Sequence, residues 1–262
     1  MNSKFFREDM LKGKVVVISG GTKGVGKAVA IEAARFGADV VISGRDEESA
    51  NQVIAEVEAA GRKGLFVKID LRKAEDIERL FDEAMKAFGK IDGFVNYSGT
   101  TPAAYITEET PEQLDWVFDL NARAPFLACK YAIRCMQKNE NGGSIVLFGS
   151  PHAWGGEKDR AAYAVSKGAL LTLMEHISKH NACDKIRCNY LTMGWTPTEG
   201  ELALRKTQGM NLEQLREFAK PFIPIGRMTE IEDMVPGVLY LLADESFMVT
   251  GANLRCTGGM YF

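Results

Sequence analysis

The chain has 262 residues, 26% of them charged, and a formal net charge of −3; it is long enough to bury one sizeable core and has no basic excess to hold nucleic acid or an anionic membrane. Cys129, Cys135, Cys183, Cys188 and Cys256 are an odd number without metal-ligand spacing, which points to a reducing cytoplasm, no metal site and no disulfide frame. No apolar run could span a bilayer, and Lys4 and Arg7 lead into Glu8 and Asp9, which reads against a secretory leader.

Short β-branched runs alternate with longer amphipathic segments, the pattern of a parallel sheet covered by helices on both faces. In chain order, a strand at residues 15–19 leads into a helix at 25–36, stopped by Gly37. A strand at 40–43 leads into a helix at 47–60, stopped by Gly61. The third strand, 65–69, precedes a helix at 74–88 with Ile77, Leu80, Phe81, Ala84 and Phe88 on one face. After a strand at 94–97, Thr110-Pro111 opens a long helix to about residue 138, with Pro125 as a kink. A fifth strand spans 144–148. The helix at 161–179 is apolar on more than one face, so one face is expected to meet another subunit. A strand at 186–191 is followed by residues 192–225, which show no strand signal and read as a substrate-binding lid. A helix at 231–242 and a strand at 253–256 complete seven strands in a single domain, residues 1–262.

Two stretches carry chemistry. Ser19-Gly-Gly-Thr-Lys-Gly-Val-Gly26 joins the first strand to the first helix, and such a glycine turn presents bare N–H groups and the positive helix end to a pyrophosphate. Its spacing, Gly20, Gly24, Gly26, differs from the Gly-x-Gly-x-x-Gly fingerprint but uses the same mechanism. Further on, Tyr163 and Lys167 stand four apart, side by side on a helix face, where an ammonium would draw a phenol's pKa toward the working range. Ser150 ends the fifth strand, placing a hydroxyl near the same cleft.

With these motifs in this order, the chain resembles the short-chain dehydrogenase/reductase family over essentially its whole length. The glycine loop is similar to the family's Thr-Gly-x-x-x-Gly-x-Gly, with Ser19 for Thr. Asn96-Tyr-Ser-Gly99 is similar to Asn-Asn-Ala-Gly, Asp70-Leu71 to the element that places an acidic residue beside the adenine, and Asn121, Ser150, Tyr163 and Lys167 to the catalytic tetrad. The resemblance implies a Rossmann-type doubly wound sheet of seven strands, a nicotinamide cofactor, hydride transfer between it and a carbonyl or secondary alcohol, and a homodimer or homotetramer. Tyr163 would be the proton donor, Ser150 a hydrogen-bond donor to the reacting oxygen, Lys167 the partner of tyrosine and ribose, and Asn121 the holder of a water. Met193-Gly194 stands in place of Pro-Gly and Thr257 in place of a terminal acid; Thr196 and Thr198 keep the expected positions near the carboxamide.

The cofactor contacts expected are Ser19, Gly20, Thr22, Lys23, Gly24, Val25, Gly26, Arg45, Asp70, Leu71, Asn96, Ser98, Gly99, Tyr163, Lys167, Gly194, Thr196 and Thr198. Gly44 holds the place of an acid that would bind a ribose 2′-hydroxyl, and Lys23 and Arg45 supply two cations with no carboxylate between them, which favours NADP(H) over NAD(H). The substrate pocket is expected around Tyr105, His152, Trp154, Met193, Trp195 and Met210, whose aromatic and methionine side chains suit a bulky, partly apolar or cyclic small molecule. The leading reading is an NADP(H)-dependent ketone reductase or alcohol dehydrogenase. Its alternatives are an NAD-dependent sugar-alcohol or steroid dehydrogenase, and a cofactor-binding regulator without turnover.

Overall fold

Strands form where runs of Val, Ile, Leu and Phe can be buried on both sides. In a computed structural model describing residues 9–261, these are β1 (Val15–Ser19), β2 (Asp39–Gly44), β3 (Gly64–Lys68), β4 (Gly93–Asn96), β5 (Gly143–Gly149), β6 (Ile186–Met193) and β7 (Asn253–Cys256). Lys4, Arg7 and Glu8, read above against a leader, lie outside the described residues. All neighbouring strands are parallel, in the order β3-β2-β1-β4-β5-β6-β7. The order reverses between β1 and β4, where Ser19 pairs in register with Asn96, and a crevice opens at such a switch point beyond the strands' carboxyl ends.

Helices cover both faces. On one, α1 (Gly24–Arg35), α2 (Glu47–Ala59) and α9 (Ile231–Leu242) pack Val25, Val29, Val53, Val238 and Leu242 against Val16, Ile18, Val40 and Val95. On the other, α3 (Ala74–Phe88), α5 (Ala124–Met136) and α6 (Ala161–His180) set Leu80, Phe81, Ala128, Met174 and Ile177 against Val17, Phe94, Ile145 and Tyr190. Local chemistry fixes the ends. Asp46 caps α2 through the Ser49 N–H, and Gly89 closes α3 in the left-handed region.

Two expectations change. The long helix is α4 (Pro111–Phe118) and α5 joined by a π-helical turn, Asp119–Arg123, rather than one helix kinked at Pro125. Pro125 has no N–H to give the Asn121 carbonyl four residues back, and a wider turn is one way to absorb the missing bond. Residues 192–225 also depart from the reading: Thr192 and Met193 finish β6, and the remainder holds two short helices, α7 (Glu199–Thr207) and α8 (Leu212–Ala219). Thr198 caps α7, and Asn211 with Gln214 forms a capping box on α8, which buries Leu215 and Ala219 against Ile223, Met228 and Met260. No helix among the described residues is long and apolar enough to cross a membrane.

Candidate active site

The glycine loop is built for close approach. Gly20 lies at φ +78°, and a Cβ there would come within 3.0 Å of Ser98 Oγ; one on Gly26 would lie 2.3 Å from the Gly20 carbonyl oxygen. Ser43 Oγ, Asn96 Nδ2 and Ser98 Oγ are buried without a hydrogen-bond partner around this turn. A bare backbone cradle beside unpaired polar atoms fits a polar, phosphate-bearing ligand such as a dinucleotide. The Ser19 hydroxyl instead donates to Asn96 Oδ1 at 3.0 Å and ties β1 to β4. Tyr97, where the family motif carries Asn, T-stacks on Phe148 at 5.1 Å, and its hydroxyl stands near the first turn of α1, where the Val25 N–H partly offsets the rise in its pKa from burial.

At the end of β2 the sequence expectation needs a correction. The site is not free of carboxylates: Lys23 Nζ lies 2.9 Å from Asp46 Oδ2 and 3.9 Å from Glu199 Oε2. Asp46 is itself committed, accepting from the Ser49 N–H at 3.1 Å and hydroxyl at 2.7 Å while capping α2. These bonds hold its carboxyl far below the usual range. Arg45 is exposed. Gly44 packs on Thr22 so closely that a Cβ would sit 2.8 Å from the threonine methyl. Asp70 chelates the Arg72 guanidinium, Oδ2 to Nη2 at 2.7 Å, which lowers its pKa to about 2, and Leu71 packs against the lower core.

A cavity of about 540 Å³ opens beyond the ends of β4, β5 and β6. Ser150, Tyr163 and Lys167 lie on its wall with Gly99, Gly194, Thr196 and Thr198. Ser150 is held from below by Tyr190 of β6, whose hydroxyl takes the Ser150 N–H at 3.3 Å and donates to the Lys167 carbonyl at 3.1 Å, joining β5 to α6. Gly149 makes this possible, since a Cβ there would fall 1.7 Å from the Tyr190 ring. Asn121, in the π turn, does not line the cavity; its amide donates to the Thr100 carbonyl and to Ser166 Oγ and accepts from the Thr100 N–H, pinning the loop after β4 to α6. Thr196 bonds the Gly194 carbonyl and Thr229, and the Thr198 hydroxyl is used as the α7 cap.

The electrostatics differ from the sequence expectation. Tyr163 is half-buried, and desolvation raises its pKa above the ordinary phenol value, while the neighbouring Ser150 hydroxyl pulls the other way. Lys167 does not offset this: its Nζ is 5.7 Å from the Tyr163 ring centre, donates to the Phe148 carbonyl at 2.9 Å, and is itself lowered by burial to about 8. Burial also lowers His152 to about 4, helped by the nearby Arg160.

Of the pocket residues expected, His152, Met193 and Trp195 line the cavity; Tyr105, Trp154 and Met210 do not. Tyr105 lies under the Lys158 ammonium and Trp154 under the Arg255 guanidinium, both rings partly exposed, and Met210 packs against the cluster around Leu215 and Met228. The sequence reading missed Trp116, Arg160, Glu201 and Arg205. Arg160 could have been found as the residue one turn before Tyr163, and Glu201 from the Thr198-x-x-Glu spacing. Glu201 accepts from Trp195 Nε1 at 2.7 Å and Arg205 Nε at 2.8 Å, fixing one wall.

Residues 20–261 match the family model described as enoyl-(acyl carrier protein) reductase. The chain is 33% identical to an uncharacterized oxidoreductase of Thermotoga maritima, over 95% of this chain and 97% of the relative. It is 31% identical to the tetrahydroxynaphthalene reductase PfmaG of Pestalotiopsis fici, over 94% and 91%. A short-chain dehydrogenase/reductase from Serratia marcescens superposes with a TM-score of 0.87 at 29% identity, covering 95% of this chain and 98% of that one. The chain belongs to the short-chain dehydrogenase/reductase family of oxidoreductases.

Proposed function

We propose that this protein reduces a ketone on a bulky or cyclic small molecule, with NADPH as the preferred donor. The observation that carries the reading is the meeting of Ser150, Tyr163 and Lys167 at one wall of a cavity whose other walls bear Trp116, Trp195, Phe148, Met193 and Met260. Aromatic and thioether walls take a ring by its faces, and the similarity to a tetrahydroxynaphthalene reductase supports a fused or substituted ring. The bound nicotinamide cofactor supplies the hydride. Tyr163, kept protonated by a pKa that desolvation raises, gives its proton to the carbonyl oxygen, which suits reduction near neutral pH. Ser150 donates a hydrogen bond to the same oxygen as negative charge develops there. Lys167 lies where its ammonium can hold the ribose and favour the phenolate left behind. Asn121 acts through position, tying the loop after β4 to the helix that bears Tyr163 and Lys167.

NADP(H) is supported by three features: Thr22 leaves no room for an acid at Gly44, Asp46 is engaged as a helix cap, and Arg45 is exposed at the end of β2. Exposed Phe126 on α5 and Val165 on α6 support a homodimer or homotetramer formed through these helices. The test is oxidation of NADPH and NADH by the purified protein against a panel of cyclic and aryl ketones. Tyr163→Phe should lower kcat by about 100-fold or more and leave cofactor affinity intact. A panel with no turnover, or a phenylalanine variant as active as wild type, overturns the reading.

A further inference from the structure

Beside the tetrad stands a group that the scheme above leaves unused. We propose that His152 and Glu157 form a proton relay that connects the Ser150–Tyr163 pair to solvent; this rests on Tyr163 being the acid–base group. Ser150 Oγ lies 3.2 Å from His152 Nδ1, and on its other side the hydroxyl stands near enough to Tyr163 to lower the phenol's pKa. The imidazole stands edge-on to the Tyr163 ring, with centres 5.3 Å apart. Its far nitrogen, Nε2, is 3.9 Å from Glu157 Oε2, a gap that a small side-chain rotation or one water closes. The line runs from buried to wet: the His152 side chain is 15% exposed and that of Glu157 49%.

The surrounding chain holds the ring in this orientation. His152 sits in the short turn Pro151–Trp154, and its own N–H donates to Ser150 Oγ at 3.3 Å. Gly156, at φ +73°, closes over it; a Cβ at that position would lie 2.6 Å from His152 Cδ2. Among the described residues, the charged and titratable groups facing the ring include Glu157 on its own loop, Asp159 and Arg160 before α6, and Tyr163 on α6. Burial and the Arg160 charge keep the imidazole neutral at working pH. A neutral imidazole has one N–H and one lone pair, which is what a relay needs.

The protons balance. In reduction, the Tyr163 proton goes to the carbonyl oxygen while Ser150 donates to that oxygen; once the alcohol has formed, Ser150 turns its proton to the phenolate, the Nδ1 proton goes to Ser150 Oγ, and a solvent proton reaches Nε2 by way of Glu157. One proton is consumed from water, no charge is left on Tyr163, Ser150 or His152, and the imidazole changes tautomer. Exchange with water in the cavity between turnovers returns the proton to Nδ1. Alcohol oxidation runs the same steps outward.

The experiment uses the purified protein, NADPH and a ketone that wild type turns over. His152→Ala should lower kcat by about tenfold or more with KM changed by less than about twofold, and free imidazole should restore the rate in proportion to its concentration. NADPH affinity, read by tryptophan fluorescence, should be unchanged. Glu157→Gln, on a half-exposed side chain, should lower kcat severalfold and enlarge the solvent deuterium isotope effect, because proton delivery then limits the rate. The relay is overturned if His152→Ala keeps wild-type kcat, if its loss appears only in KM, or if a folded His152→Ala protein is not rescued by imidazole and Glu157→Gln is unaffected. An active Tyr163→Phe would overturn the acid assignment itself; an inactive one beside a normal His152→Ala overturns the relay alone.

Discussion

Tyr190→Phe isolates one hydroxyl that holds Ser150, the proposed donor to the reacting oxygen, in place. The ring is fully buried in β6, and phenylalanine keeps its volume, so no cavity forms. What is lost is the oxygen that takes the Ser150 N–H at 3.3 Å and donates to the Lys167 carbonyl at 3.1 Å. The Lys167 carbonyl lies inside α6 and keeps its helical partner, so its loss is small. The Ser150 N–H is left buried and unpaired, which costs about 1–3 kcal/mol. At roughly 2 °C per kcal/mol for a chain of this length, Tm should fall by about 2–6 °C. Freed at its backbone, Ser150 should also cost about tenfold in kcat, since a misplacement of an ångström at a catalytic group is felt strongly. Thermal unfolding by circular dichroism and steady-state kinetics on the same preparation measure both. A Tm within about 1 °C of wild type together with unchanged kcat would refute the argument that this hydroxyl couples β5 to α6.

Lys167→Met should abolish turnover and yet stabilise the fold. Burial lowers the ammonium from 10.5 to about 8, a cost of roughly 3 kcal/mol at neutral pH that the thioether does not carry. In the wild type the same group adds stability as pH rises from about 8 toward 10.5, because there the unfolded chain holds the proton that the folded one has lost; a lower Tm for the variant at pH 7 would count against it. His152, lowered from 6.5 to about 4, acts in the acid range: the unfolded chain takes up a proton that the folded one refuses, so stability should fall as pH drops from 6.5 toward 4. Denaturant titrations at several pH values should show a shallower fall in His152→Asn, and identical slopes would remove His152 as the cause. Arg45→Ala should weaken NADPH binding by about tenfold and leave NADH binding within about twofold; equal effects on both would place the 2′-phosphate elsewhere.

The sequence by itself determined the sheet, the helices of its two faces and the spacing of the reactive groups. Strand and helix periods are local, so Val15–Ser19, the caps at Asp46 and Thr110 and the Tyr163–Lys167 pair could be read from neighbours a few positions apart. The helices α7 and α8 were also legible, in the Thr198 and Asn211 caps, though their polar composition masked them. Only the tertiary structure decided which aromatic residues face the cavity: Trp116, 34 positions before Ser150, lines it, whereas Trp154, four positions after, does not. It also decided the clamp from Tyr190, 40 positions from Ser150 and accommodated by Gly149, and the π turn that turns Asn121 toward Ser166 of α6. The direction of the Tyr163 shift belongs to the same class. A sequence shows an ammonium four residues from a phenol, but how far both are withdrawn from water is set by residues remote in the chain, and here desolvation outweighs the neighbouring charge.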